Sequence, residues 1–249
     1  MNITLIAPPW FPVPPSAYGG IELVVALLAQ EFERCGHRVT VVANGDSRPA
    51  GALRSPLWST PSNGMIGNPF IEARHALGAY AEIDGADVIH DHSGAFGAAL
   101  ASRDTSLPPV VHTLHGPWTP EASEFYRFVD ERIHLVAIST AQRDANSNVR
   151  YADTIHNGIG IGMYPMNEGP RSDDLVYIGR ANPGKNPDGA IRVARASARP
   201  LKLVIKRHEP DEHQYWNHAV AHRCSAQTSK SSRTSITTPR WTSSATRTP

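Results

Sequence analysis

The sequence predicts an α/β protein built on parallel sheets, in two unequal halves followed by a disordered tail. Three observations predict it. Short apolar runs alternate with amphipathic stretches from Asn2 to His156, the pattern of strands joined by crossover helices. The alternation breaks at Gly158–Asp173, which is rich in Gly and Pro and has no period, and resumes at Leu175. It ends near Ala221, where the composition changes abruptly.

The elements follow in order. Asn2–Ala7 reads as a buried first strand. Ile21–Arg34 carries Leu23, Val24, Leu27, Leu28 and Phe32 as a helical stripe, and Gly36 stands where a helix ends. Arg38–Ala43 is a second strand. Ala73–Ile83 is a helix and Asp87–His90 a strand; Ala95–Ser102 is a short helix and Pro109–Thr113 a strand. Glu121–Arg132 is a helix with Phe125, Phe128 and Val129 on one side. Leu135–Ile138 is a strand, Thr140–Ser147 a short helix and Asp153–His156 a last strand. In the second half the order is strand Leu175–Ile178, helix Asp188–Ala198, strand Leu201–Ile205, then a helix from Asp211. The expected division is therefore a complete domain over 1–160, a connection over 161–173, a partial second domain over 174–221 and a tail over 222–249.

Composition narrows the function classes. Over 249 residues, 40% hydrophobic and 19% charged residues are those of a globular chain. A net charge of +1 gives no global field toward nucleic acid, and none is expected as a partner. Cys35 and Cys224 make neither a disulfide framework nor a metal set. Met1–Trp10 has no basic leader, and no apolar run reaches the roughly 18 residues of a membrane span. A cytoplasmic protein without a transmembrane segment is expected; peripheral membrane contact stays open.

From His222 to Pro249, 14 of 28 residues are Ser or Thr, five are Lys or Arg and none is acidic. Such a segment buries too little surface to offset its ordering entropy. A basic or phosphorylated regulatory tail is the functional alternative. The switch in mid-helix instead suggests a truncated or out-of-frame end.

Open parallel sheets collect ligands outside the carboxyl ends of their strands. After the first strand a proline-rich loop closes with Gly19-Gly20 directly before the helix, where backbone N–H groups meet the positive helix end. The alternative is a hinge without ligand. No G-x-G-x-x-G occurs, which argues against a nicotinamide dehydrogenase. His90, His92, His112 and His115 fall at or just past strand ends. His90 and His92 share a side of an extended segment, but no cysteine or H-E-x-x-H set completes a zinc site, so cleft-floor histidines are the reading and no metal is expected. His115, before Gly116-Pro117-Trp118, suits hydrogen bonding to a polar substrate. Arg180 and Lys185 flank a Pro-Gly turn ahead of a helix and can converge on one diphosphate; two solvated charges are the alternative.

Taken together, GGIELVVALLAQEFERCGHRVTVVANGDS, ADVIHDHSG, VVHTLHGPW, LVAIS and HNGI closely resemble the amino-terminal domain of family 4 retaining glycosyltransferases. DDLVYIGRANPGKNPDGAIRVAR resembles the opening of their carboxy-terminal domain, so the resemblance covers roughly residues 1 to 220. It implies a GT-B-like fold, a complete Rossmann-like amino-terminal domain with an incomplete second one. It also implies transfer of a hexose from a UDP- or GDP-sugar to a carbohydrate, lipid or small-molecule acceptor.

By the same resemblance, His115 lies next to the transferred sugar. Gly19 and Gly20 lie by the donor diphosphate or an acceptor phosphate, Arg180 and Lys185 neutralise the donor diphosphate without a metal cofactor, and His92 and Asn157 line the acceptor side or the cleft. Gly160 replaces a usual Asp, Gly184 and Asn186 depart from Pro-Glu-Lys-Gly around the second cation, and the later Glu-rich segment that holds ribose and sugar has no counterpart. An inactive chain is therefore expected. The alternatives are a fragment that binds acceptor or phosphate, or a sugar-nucleotide epimerase of the same fold.

Overall fold

The computed structural model describes residues 1–81, 83–129, 133–166, 168–207, 209–225 and 234–237. The chain divides into two compact units, Met1–Pro165 and Met166–Pro249.

The first unit is a parallel sheet of seven strands: β1 (Asn2–Ile6), β2 (Arg38–Asn44), β3 (Ala52–Leu57), β4 (Val88–Asp91), β5 (Val110–Leu114), β6 (Ile133–Ala137) and β7 (Tyr151–Thr154). Their spatial order is β3-β2-β1-β4-β5-β6-β7, so the winding reverses between β1 and β4. That reversal opens a crevice at the carboxyl ends of these two strands. Helices α1 (Gly20–Arg34), α2 (Pro69–Tyr80), α3 (Ala95–Arg103), α4 (Pro120–Tyr126) and α5 (Thr140–Asp144) make the crossovers.

A parallel sheet buries both faces, so its strands need apolar residues at successive positions. In β1, Leu5 packs with Val25, Ala29 and Val41 on one face, while Ile6 packs with Val42, Ala79 and Ile89 on the other. The pairing Leu5↔Val41 and Ile6↔Val42 keeps these sets in register. Burial of each Leu, Ile or Val among them contributes about 1.5–3 kcal/mol. Gly36 closes α1 with φ at 82°, a left-handed conformation that suits glycine.

Several elements of this unit differ from the sequence expectation; α5 ends at Asp144 rather than Ser147, β7 runs Tyr151–Thr154 rather than Asp153–His156, and three differences have a clear physical cause. β3 is an added edge strand; Pro56 and the polar Arg54 and Ser55 hide it, and a proline is tolerated where only one neighbour pairs. α2 begins at Pro69, because Asn68 caps it by accepting from Phe70 N and Ile71 N and Pro69 suits the first position. α4 ends at Tyr126, and Phe128, 74% exposed, is not on its buried side. The expected end of that helix, 130–132, lies outside the described residues.

The second unit holds β8 (Leu175–Arg180), α6 (Pro187–Ala196), β9 (Leu201–Lys206) and α7 (Pro210–Tyr215). A π turn over Trp216–Val220 and helix α8 (Ala221–Ser225) follow, and β10 (Thr234–Thr237) completes a parallel sheet of order β10-β9-β8. Ile191, Ala194, Leu201, Leu203, Ile205, Trp216 and Val220 form its core. On β8, Val176 and Ile178 point away from that core and stay 62% and 73% exposed. Two described stretches fall inside the segment expected to be disordered, 222–249: α8 reaches Ser225, and β10 pairs with β9, Thr234 opposite Leu201. Strand pairing runs through backbone hydrogen bonds and needs no apolar period. The remaining tail positions lie outside the described residues.

Among the described residues no helix is long and apolar enough to cross a membrane.

Candidate functional site

A cleft of about 370 Å³ opens at the carboxyl edge of the first sheet. Six segments build it: Pro8 and Trp10 after β1, Ile21 on α1, Glu72 on α2, His92–Ala95 after β4, His112–Trp118 from β5 and its loop, and Ala122 and Tyr126 on α4. Two of the residues expected from sequence, His92 and His115, meet here. His92 Nδ1 lies 2.8 Å from His115 Nε2, with the two rings stacked at 5.2 Å. His90 tilts against His92 at 4.2 Å and hydrogen-bonds Thr113 Oγ1 at 2.8 Å. Burial pushes His90 and His115 down to about 4 and holds His92 well below the usual histidine range, with the neighbouring imidazoles adding to the effect. At neutral pH these three rings carry no charge. The outer nitrogen of His92, Nε2, is buried without a hydrogen-bond partner among the described residues.

Beneath them lies Asp91, fully buried at the end of β4. It accepts from Tyr80 Oη at 2.9 Å and from Ser93 N at 2.7 Å, and its Oδ2 is 3.2 Å from His112 Nδ1. Burial alone would raise this carboxyl, but the contacts from His112 and Ser93 hold it below the ordinary range. His112 Nε2 in turn lies 3.1 Å from Tyr126 Oη, fixing that phenol at the cleft wall. Gly97 makes room for this arrangement, since a Cβ there would come within 2.3 Å of Asp91 Oδ2. The carboxylate thus sits against the first turn of α3, the positive end of that helix.

The Gly19-Gly20 turn opens α1 beside the cleft. Gly19 has φ at 152°, and a Cβ would come within 2.7 Å of Pro15 Cβ, while Gly20 faces open space. The helix end is partly filled by its own Glu22, which is 3% exposed and takes backbone hydrogen bonds from its own N–H and that of Phe11. Burial raises this carboxyl to about 7. Glu72, at the opposite wall, is also raised by burial, against a hydrogen bond from Trp10. Asn157 is exposed beyond β7 and does not line the cleft.

Arg180 and Lys185 belong to the second unit. Asn182 caps the turn between them by accepting from Lys185 N at 2.9 Å. Asn186 takes φ 53° and accepts from Gly189 N, opening α6. An asparagine tolerates this left-handed position, which accounts for the departure at this residue. Lys185 is exposed at the tip. Arg180 Nε binds Glu212 Oε1 at 2.5 Å, and its Nη2 binds Glu209. Lys206 Nζ reaches Glu209 Oε1 at 2.6 Å and Glu212 Oε1 at 3.5 Å. Two cations and two carboxylates balance, so the charge of Arg180 is already matched. Sequence reading missed Glu209 and Glu212, whose spacing to Arg180 is set by β9 and α7 rather than by a local motif. Among the described residues no group of three or more His, Cys, Asp or Glu is arranged to hold a metal ion.

Comparison with curated proteins returns no match. Among solved structures, the chain is similar to AviGT4, a glycosyltransferase involved in avilamycin A biosynthesis, at 22% identity and TM-score 0.60, over 94% of this chain and 63% of that one. It is also similar to Anabaena Alr3699/HepE, solved with UDP and glucose, at 16% identity and TM-score 0.58, over 95% and 69%. A glycosyltransferase from Rickettsia africae ESF-5 matches at 15% identity and TM-score 0.56, over 94% and 68%. The chain thus spans less than two thirds of the length of the first of these. These likenesses show the fold, α/β and GT-B-like. The profile of Glycosyltransferase Family 4 matches residues 18–161, more than half of the chain, and the chain belongs to that family.

Proposed function

We propose that the chain carries the acceptor pocket and part of the donor-phosphate site of a retaining glycosyltransferase. The reaction moves a hexose from a UDP- or GDP-sugar to a hydroxyl on a carbohydrate, lipid or small-molecule acceptor. One observation carries this reading: the uncharged His92–His115 pair in the cleft, with His92 Nε2 buried and unpartnered among the described residues. A neutral pair joined by one hydrogen bond leaves one outer nitrogen as donor and the other as acceptor, whichever tautomer it adopts. A reacting hydroxyl needs that complement.

In the transfer, the bond from the anomeric carbon to the diphosphate oxygen breaks and a bond to the acceptor oxygen forms on the same face. The acceptor proton passes to the departing phosphate oxygen. His115 holds the sugar and hydroxyl together on that face, a positioning effect that can be large. Arg180 and Lys185 offset the developing diphosphate charge, the task a metal performs elsewhere. Gly20, which does not line that cleft, leaves backbone open to a donor phosphate, with Gly19 setting the turn, and Asn157 stays with the acceptor side by resemblance. UDP bound to the Anabaena relative supports the nucleotide class.

This 249-residue chain by itself is proposed not to turn over. Arg180 is held by Glu209 and Glu212, so a diphosphate must displace internal carboxylates to reach it. The test incubates the purified chain with UDP- and GDP-hexoses and an acceptor panel while nucleotide release and binding are followed. The expected result is weak nucleotide binding that perturbs Lys185, with release at background. Sustained acceptor-dependent release contradicts the inactivity, and absence of any nucleotide binding contradicts the donor assignment.

A further inference from the structure

We infer that the cleft of the first unit recognises an uncharged, hydroxyl-bearing saccharide ring and turns away phosphorylated or carboxylated counterparts, with Glu72 as the side chain that sets this choice. The inference rests on the acceptor reading of the same cleft and adds the chemical class of its ligand.

Charge is the first argument. Among the described residues that line the cleft there is neither lysine nor arginine, and the ionisable carboxyl facing it is Glu72. An anion entering would be desolvated beside a carboxylate with no cation to repay the cost. His92 and His115 do not supply one, since burial keeps them uncharged at neutral pH, and His112 is already engaged by Asp91 at 3.2 Å.

Helix ends are the second argument. Two positive helix termini approach the cleft, through Ile21 of α1 and Gly94–Ala95 of α3. Either could in principle favour an anion. Each already faces a carboxyl from inside the protein. Glu22 takes its own N–H in the first turn of α1 and that of Phe11 in the preceding loop, and Asp91 binds Ser93 N and lies against Gly97 in the first turn of α3.

Hydrogen-bonding capacity and shape complete the case. The His92–His115 pair offers one donor and one acceptor, which suits a hydroxyl, whereas a phosphate oxygen only accepts. Glu72, held by Trp10, accepts from sugar hydroxyls. Trp10, Trp118 and Tyr126 give the walls flat apolar faces for the C–H surface of a pyranose, and about 370 Å³ lies at the small end of ligand pockets, roughly 300–1,000 Å³.

The test titrates the full chain with a methyl hexopyranoside, the hexose 6-phosphate and the hexuronate. Binding is read on the Trp10 and Trp118 indole and the His92 and His115 imidazole resonances. The neutral glycoside is expected to bind at least about tenfold more tightly than either anion, the scale set by an uncompensated charge. Glu72→Gln, checked for an unchanged unfolding curve, is expected to shrink that ratio to within about threefold. An anion that binds the wild-type chain as tightly as the glycoside overturns the inference and leaves the acceptor pocket standing. A ratio unchanged in Glu72→Gln removes Glu72 from the role. If none of the three sugars moves these resonances, the acceptor reading falls and this inference with it; nucleotide binding at Lys185 is read separately.

Discussion

Glu22→Gln isolates a buried charge at the start of α1 without changing side-chain shape. Glu22 is 3% exposed, and burial raises its carboxyl from 4.5 to about 7. A carboxyl raised on folding contributes stability that is fully present below pH 4.5 and lost as pH climbs through about 7. The gap between the two values corresponds to about 3 kcal/mol at roughly 1.4 kcal/mol per pH unit. Urea unfolding of wild type and Glu22→Gln at pH 5, 6, 7 and 8 gives two curves whose difference cancels every other titrating group. The variant is expected to gain about 2–3 kcal/mol on wild type between pH 5 and 8, since part of the full difference is already lost at pH 5. Since the amide introduced by Glu22→Gln cannot ionise, curves that stay parallel within about 0.5 kcal/mol refute the placement of this carboxyl in the helix end.

Acid acts in the opposite sense through the histidines. His90 and His115 are depressed to about 4, so the unfolded chain takes up protons first and stability falls as pH drops from 6.5 toward 4, measurable as a falling Tm that His90→Gln blunts. Gly19→Ala meets both a left-handed φ of 152° and Pro15 at 2.7 Å, and is expected to cost about 1–3 kcal/mol in urea unfolding. Arg180→Ala removes the 2.5 Å partner of the buried Glu212 and leaves it Lys206 at 3.5 Å, and is expected to lower protection of α7 in hydrogen exchange by about 1–3 kcal/mol. Lys185→Ala, at an exposed tip, is expected to change stability by no more than about 0.5 kcal/mol while weakening UDP binding, a contrast that calorimetry reads directly.

What the sequence makes visible follows from where the information is stored. β1, α1 and β2 carry apolar residues at periods that local sequence displays, and Gly36 marks a left-handed stop, so these elements are readable one by one. β3 is not, because an edge strand tolerates Pro56 and needs few apolar residues. Asn68-Pro69 is a readable helix start whose capping signal outweighs the apolar pattern beginning at Ala73. For the site, His92 and His115 stand at strand ends, which the crossover pattern predicts to converge. Glu72, Trp10 and Tyr126 come from three other elements, so only the packed fold brings them to the same cleft. Arg180 shows the same limit: its partners Glu209 and Glu212 are fixed by packing of α7 beside β9, and sequence alone leaves it as a loop cation.

The central claim is that a neutral acceptor sits against His92 and His115 in the first unit. Saturation-transfer NMR with a methyl hexopyranoside, run on the wild-type chain and on His115→Phe, addresses it most directly. Saturation of the aromatic resonances of Trp10, Trp118 and Tyr126 should reach the sugar ring protons in the wild type. The variant, with an apolar ring in place of the imidazole and its fold intact by circular dichroism, should lose that transfer. Equal transfer in both proteins, or none from the wild type, contradicts the account.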